Sequence, residues 1–199
     1  MEYAQEDPGA RLMLAYQAGD EAAFDQLVES YSGRVWGLCT RFLGNVSGRE
    51  DLVQDVFLRV IRARERYQPT ACFSTWLYRI VFNLCVNRQE RKRDMLSLDA
   101  PISGKSDDGL SHIDIQDETT ADPSDGLIVD DVVDAVRAAI DELPEAQRMA
   151  MILAKYEEMA YVDIADVMDS SEKAIKSLVH RAREALREKL APFFEEEMS

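Results

Sequence analysis

Apolar residues in "DEAAFDQLVESYSGRVWGLCTRFLG" recur at Phe24, Leu27, Val28, Tyr31, Val35, Leu38 and Phe42. Steps of three and four residues predict an amphipathic helix, with an interruption expected near Ser32-Gly33. A second helix is expected through "NVSGREDLVQDVFLRVIRARERY", entered by a Ser-Gly turn and running to about Tyr67. The third is "STWLYRIVFNLCVNRQERKRD", for which Ser74 is the candidate N-cap. The period is then lost. Residues 96–131 collect three Gly and two Pro with no sustained apolar repeat, and structureless loops longer than about 15 residues are uncommon inside compact domains. Helical spacing returns in "VVDAVRAAIDELP", "EAQRMAMILAKYEEM", "YVDIADVM" and "AIKSLVHRAREALREKL". Neither strand alternation nor an internal repeat stands out. The expected architecture is all-α: helical domains at 1–95 and 132–199, joined by a flexible linker over 96–131.

The last helix has two faces. At 100° per residue, Ile175, Leu178, Val179, Ala182, Ala185, Leu186 and Leu190 form one stripe. Lys173, Lys176, Ser177, His180 and Arg187 lie opposite, with Arg181 and Arg183 on the flanks. A short helix and the turn "DSS" precede it, and Ser171 is placed to cap it. Short helix, tight turn and longer helix with a polar outer face make a helix-turn-helix pattern. In that geometry the second helix reaches base edges while basic side chains hold phosphates.

Two further patterns stand in the N-terminal half. In "EDLVQDVFLRVIRAR", Leu52, Val53, Val56, Phe57, Val60 and Ile61 are expected to be buried. Asp51, Gln54, Asp55, Leu58 and Arg62 share the opposite side, so Leu58 is an apolar residue in a polar row. That combination resembles the centre and rim of a protein contact. In "RYQPTACFSTWLYRIVFNLCVNRQERKR", aromatic and basic residues interleave. Such pairing suits single-stranded DNA, whose bases stack on rings and whose phosphates need cations. Trp76 and Phe82 are expected in the core, whereas Tyr67 and Phe73, in or beside a Pro-containing loop, are candidate base platforms.

Charge sharpens the division. The 199 residues carry a formal charge of −15, distributed unevenly. Residues 1–95 hold 13 acids and 13 bases; residues 96–131 hold ten acids and one Lys; residues 132–199 hold 15 acids and 9 bases. A block of like charge in the middle supports the linker reading. Cys39, Cys72 and Cys85 form no C-x-x-C pair, and the start "MEYAQEDPGAR" is acidic where a signal peptide would be basic. A reducing cytoplasm and no membrane insertion are the expectation. No nucleophile–base pair, metal-ligand cluster or phosphate-cradling Gly loop is evident, so neither catalysis nor a cofactor is expected.

In the order they occur, "DEAAFDQLVESY", "EDLVQDVFLRV", "FSTWLYRIVFN", "LPEAQRMAMIL" and "IKSLVHRAREALR" resemble the second and fourth conserved regions of extracytoplasmic-function (ECF) sigma factors. The resemblance covers roughly three quarters of the chain and implies binding to core RNA polymerase and direction of that enzyme to promoter DNA. It assigns Asp51, Gln54, Asp55 and Leu58 to the clamp helices of the polymerase's largest subunit. Arg66, Tyr67, Phe73, Arg79 and Asn83 fall to the downstream (minus-ten) element and its melting. Lys173, Lys176, Ser177, Arg181 and Arg183 fall to the upstream (minus-thirty-five) element, and the linker to the polymerase channels. An anti-sigma factor is a common partner in the family, though the sequence shows no footprint of one.

The family pattern is broken in two places. Leu178 stands where a basic residue is usual, and the turn "DSSEKA" lacks the customary Gly. Asp169 and Glu172 there would repel phosphates. Two rivals remain at this stage. A stand-alone helix-turn-helix regulator would explain the C-terminal half only, and an adaptor would use "EDLVQDVFLRV" only.

Overall fold

The computed structural model describes residues 6–44, 48–98 and 126–195, and every regular element among them is helical. The N-terminal group contains α1 (Pro8–Gln17), α2 (Glu21–Leu43), α3 (Arg49–Ala63), a 3-10 turn (Arg64–Arg66) and α4 (Phe73–Leu98). The C-terminal group contains α5 (Gly126–Asp141), α6 (Glu145–Lys155), α7 (Tyr161–Val167) and α8 (Glu172–Glu195). Both edges of the expected linker are helical, since α4 continues to Leu98 and α5 starts at Gly126. The remainder of it, residues 99–125, lies outside the described residues.

Local chemistry sets the starts and stops. Asp7 caps α1, its carboxylate accepting from the Gly9 and Ala10 amides, with Pro8 in the first turn where a missing N–H costs nothing. Gly19, at φ +109°, closes the helix: its amide reaches the Tyr16 carbonyl and the Asp20 amide reaches the Ala15 carbonyl. Asp20 then caps α2 through the Ala22 amide. Contrary to the expected interruption, α2 runs unbroken past Ser32-Gly33. Mid-helix Gly costs about 1 kcal/mol, and buried Leu27, Val35, Leu38 and Phe42 on either side outweigh it.

The larger of two apolar clusters among the described residues runs through both groups, while a smaller one (Ala139, Ile140, Leu143, Ala182 and Leu186) joins α5 to α8. Leu27, Leu38, Val56, Leu77 and Val81 belong to the larger, as do Met149, Ile152, Ile164 and Ile175. The groups meet where α7 lies on α4 and where α6 lies on α2. Arg148 of α6 stitches this contact. Its guanidinium donates to the Phe42 carbonyl at the end of α2 (2.9 Å), and to the Asp141 and Leu143 carbonyls at the end of α5. Cations suit helix C-termini because carbonyls there lack partners. The pairing of Arg148 with the Asp141 carboxylate, at 3.9 Å, is secondary. Burial lowers the Arg148 pKa and raises that of Asp141, and in each case outweighs the attraction between them.

Candidate nucleic-acid and polymerase interfaces

On α3, the buried side is Leu52, Val56, Phe57 and Val60. Asp51, Gln54, Asp55 and Arg62 are exposed, and Leu58 is 45% exposed. Ile61, expected in the core, is 40% exposed and stands one turn from Leu58. Its wheel position explains this: it lies about 110° from the centre of the buried arc at 100° per residue. The two together form an exposed apolar pair, with Gln54, Asp55 and Arg62 on the adjacent turns. Gly48 starts the helix at φ +79°, a backbone conformation that favours glycine, and the Arg88 guanidinium lies close to it.

On α4, the helical period sorts residues that interleave in sequence. Phe73, Leu77, Tyr78, Val81, Leu84 and Cys85 face the core, while Arg79, Asn83, Asn87 and Arg91 are exposed on a polar stripe. Tyr67 and Phe73 are not surface platforms. They are 5% and 0% exposed and form an aromatic cluster with Tyr31 and Trp76, at centroid distances of 5.0–6.1 Å. Trp76 and Phe82, expected deeper, are only partly buried. Ser74 does not cap α4: the first amide, Phe73 N–H, donates to the Asp7 carboxylate, and Trp76 N–H donates to the Cys72 carbonyl. Between Tyr67 and Phe73 the loop exposes Gln68 and Thr70, which the sequence reading did not single out. Arg66 is exposed at its start.

The helix-turn-helix is α7, a turn and α8. Ser171 Oγ accepts from the Ala174 amide at 3.2 Å, capping α8 as expected. Asp169 occupies the left-handed position at φ +50°, and Ser170 N–H donates to the Ala165 carbonyl at 2.9 Å. That is a glycine-type helix stop made with Asp, among the residues that best tolerate this conformation. Leu178 is partly buried against the core, so the wheel and not the family pattern describes it. Lys173, Lys176, Ser177, His180, Arg181 and Arg183 are all exposed. Lys176 pairs with Glu172 at 2.6 Å, and Arg181 Nε donates to the Ser177 carbonyl at 3.3 Å.

Helix α4 also touches the C-terminal group. Arg79 approaches Asp169 in the turn at 3.7 Å, and the Tyr78 hydroxyl donates to Glu157. Burial and then the Glu157 carboxylate push the Tyr78 pKa up. Among the described residues, no cluster of His, Cys, Asp and Glu could hold a metal ion, and no helix is long and apolar enough to cross a membrane.

One chain thus carries an exposed apolar pair on α3, a polar stripe on α4 and a helix-turn-helix, the arrangement of a two-part DNA-binding protein. Residues 27–94 match the Sigma-70 region 2 family and residues 134–186 match Sigma-70, region 4. The ECF RNA polymerase sigma factor SigW of Bacillus subtilis is 32% identical over 175 residues, covering 86% of this chain and 91% of that one. The ECF RNA polymerase sigma-E factor of Escherichia coli K12 is 32% identical over 186 residues, 91% and 93% of the two chains. The fold is shared with the sigma factor RpoE bound to the anti-sigma factor NepR from Bartonella quintana (TM-score 0.67, 21% identity, 84% and 96% coverage). It is shared also with CnrH bound to the cytosolic domain of CnrY (TM-score 0.65, 22% identity, 94% and 99% coverage). The chain belongs to the extracytoplasmic-function sigma factors, which confer promoter-specific transcription initiation on RNA polymerase.

Proposed function

We propose that α3 holds core RNA polymerase through Asp51, Gln54, Asp55 and Leu58, with Ile61 enlarging the apolar centre. The loop after Arg66 and the α4 stripe of Arg79 and Asn83 read and melt the downstream element. Tyr67 and Phe73 support that loop from beneath. Lys173, Lys176, Ser177, Arg181 and Arg183 meet the upstream element. In this reading an N-terminal domain up to about residue 95 and a C-terminal domain from about 132 divide the work, acting in the cytoplasm without catalysis of their own. An anti-sigma partner is part of the proposal, supported by the Bartonella complex that shares the fold. The observation that carries the reading is the presence, in one chain, of the exposed Leu58–Ile61 pair and two separate polar helix faces. Factor-dependent transcription from purified core polymerase tests it, because neither a lone regulator nor an adaptor would support any.

The recognition helix yields graded expectations. Lys176→Ala and Arg181→Ala should each weaken use of the upstream element several-fold, and footprinting of that element would detect it. Unchanged promoter use in both would remove α8 from the contact. Leu178→Arg should destabilise the C-terminal domain by about 1–3 kcal/mol, since it forces a charge against the core. Thermal unfolding would report the loss.

At the turn, Asp169→Gly should have the opposite effect. It relieves a left-handed non-glycine residue, worth roughly 1 kcal/mol, and removes a carboxylate from the DNA side. Higher Tm with tighter upstream-element binding is the expected pair of results. A lower Tm would show that the Arg79–Asp169 approach matters more than the backbone conformation.

A further inference from the structure

The loop between the 3-10 turn and α4 is tied at both ends to α1, a helix that lies before the region 2 match. At one end, Gln17 Nε2 donates to the Arg64 carbonyl (2.8 Å) and the Tyr67 carbonyl (3.3 Å). Arg64 is itself held, its guanidinium 4.1 Å from the Tyr16 ring and paired with Glu21 at 2.7 Å. At the other end, the two oxygens of Asp7 divide their work. Oδ1 accepts from the Gly9 amide at 2.9 Å, and Oδ2 accepts from the Phe73 amide, the first of α4. Gly9 has no room for a side chain: a Cβ would sit 2.4 Å from the Tyr31 hydroxyl and 2.7 Å from the Phe73 ring. The start of α1 is therefore pressed onto the start of α4.

What remains between these ties is short. Pro69 fixes its own φ, and Thr70 N–H donates to the Gln68 carbonyl at 2.9 Å. Holding a base out of its stack costs a few kcal/mol, and ordering each loop residue at that moment would cost about 1–2 kcal/mol more. A loop already fixed at both ends avoids most of the second cost.

We propose that α1 is a clamp that presets the base-reading loop, with Asp7 and Gln17 as positioning residues for the exposed Gln68 and Thr70. The inference rests on the assignment of this loop to the downstream element, and the experiment separates the two. Full-length variants are reconstituted with core polymerase and transcribe a plasmid library randomised over both promoter elements, read by sequencing. Asp7→Ser keeps a cap for α1, but its single oxygen cannot also serve Phe73. Gln17→Met keeps length and packing but has no donor. Gln68→Ala and Thr70→Ala probe the loop directly.

Both clamp variants should capture core polymerase and select the upstream element as wild type does. Their discrimination between the preferred and next downstream base should fall by about tenfold, within the range one base contact commands. Loop variants should change which base is preferred. If loop variants shift the preference and clamp variants do not, the clamp is overturned and the loop assignment stands. If transcription falls equally on all templates with preferences intact, α1 serves stability alone and the clamp is again overturned. If the loop variants keep the wild-type preference, the loop assignment fails and takes the clamp with it. Should Asp7→Ser prove unfolded by thermal melting, Gln17→Met, which leaves the α1 cap untouched, decides the matter.

Discussion

Leu58→Glu is expected to reduce capture of core polymerase by at least about thirtyfold, with the fold intact. A central apolar interface residue commonly contributes roughly 2 kcal/mol or more, which corresponds to about that factor. Leu58 is 45% exposed and points away from Leu52, Val56 and Val60, so its replacement should move folding stability by only about half a kcal/mol. Asp55→Arg attacks the rim of the same patch and should act in the same direction. Ile61→Glu is the discriminating companion. Read from the wheel margin it is core and the variant should unfold; read from its 40% exposure it is interface and the variant should fold but lose polymerase. Pull-down of core polymerase together with circular dichroism distinguishes the cases. Wild-type capture by Leu58→Glu would remove α3 from the interface.

The contrast between Ile61 and Leu58 shows what the sequence could convey. Periodicity located α3 and its buried centre, because positions near the middle of an apolar arc are covered whatever the neighbours do. Positions at the margin depend on how far a packing partner extends, which is a tertiary fact. Tyr67 and Phe73 failed for a related reason. Interleaving of aromatic and basic residues along the chain looks like a mixed surface, yet within a helix the two kinds fall on different sides, and Phe73 continues the stripe of Leu77, Val81 and Leu84. Tyr67 has no period to follow, since it lies in a loop that folds its ring back against Phe73 and Trp76. The start of α1 has a sequence signal in Asp7-Pro8, a cap followed by proline, but the helix is short and its acidic lead-in carries no apolar period. The helix-turn-helix was legible down to Ser171. What the turn used in place of glycine was not, because Asp169 reveals its left-handed backbone only in three dimensions.

Opening the contact between the two groups is expected to raise free-protein binding to promoter DNA. Elements named for positions minus ten and minus thirty-five are separated by about 25 base pairs, or roughly 85 Å at about 3.4 Å per step. A compact chain of this length has a radius of gyration near 16 Å, and Arg79 stands 3.7 Å from the helix-turn-helix turn. One closed molecule therefore cannot read both elements, and its charge of −15 further opposes approach to DNA. Wild-type protein alone should bind promoter duplex weakly, and core polymerase should restore binding. Tyr78→Phe removes a buried hydroxyl donor to Glu157, and Arg148→Met removes the tie to the Phe42 carbonyl. Hydrogen bonds to charged groups contribute about 1.5–3 kcal/mol each; solvation of the released groups reduces the sum to an expected ~3 kcal/mol, a shift of roughly a hundredfold in the closed-to-open ratio. Neither change touches the exposed stripe of Asn83 and Asn87 or the basic face of α8. Small-angle scattering of the double variant should give a larger radius of gyration than wild type, with unchanged helix content. Binding to a duplex carrying both elements should strengthen, while binding to either element alone should change far less, because only the open chain gains the second contact. An unchanged radius would show that the shared apolar core, rather than these polar ties, holds the groups together. A larger radius with no gain on the two-element duplex would place the barrier to free DNA binding in net charge and not in closure.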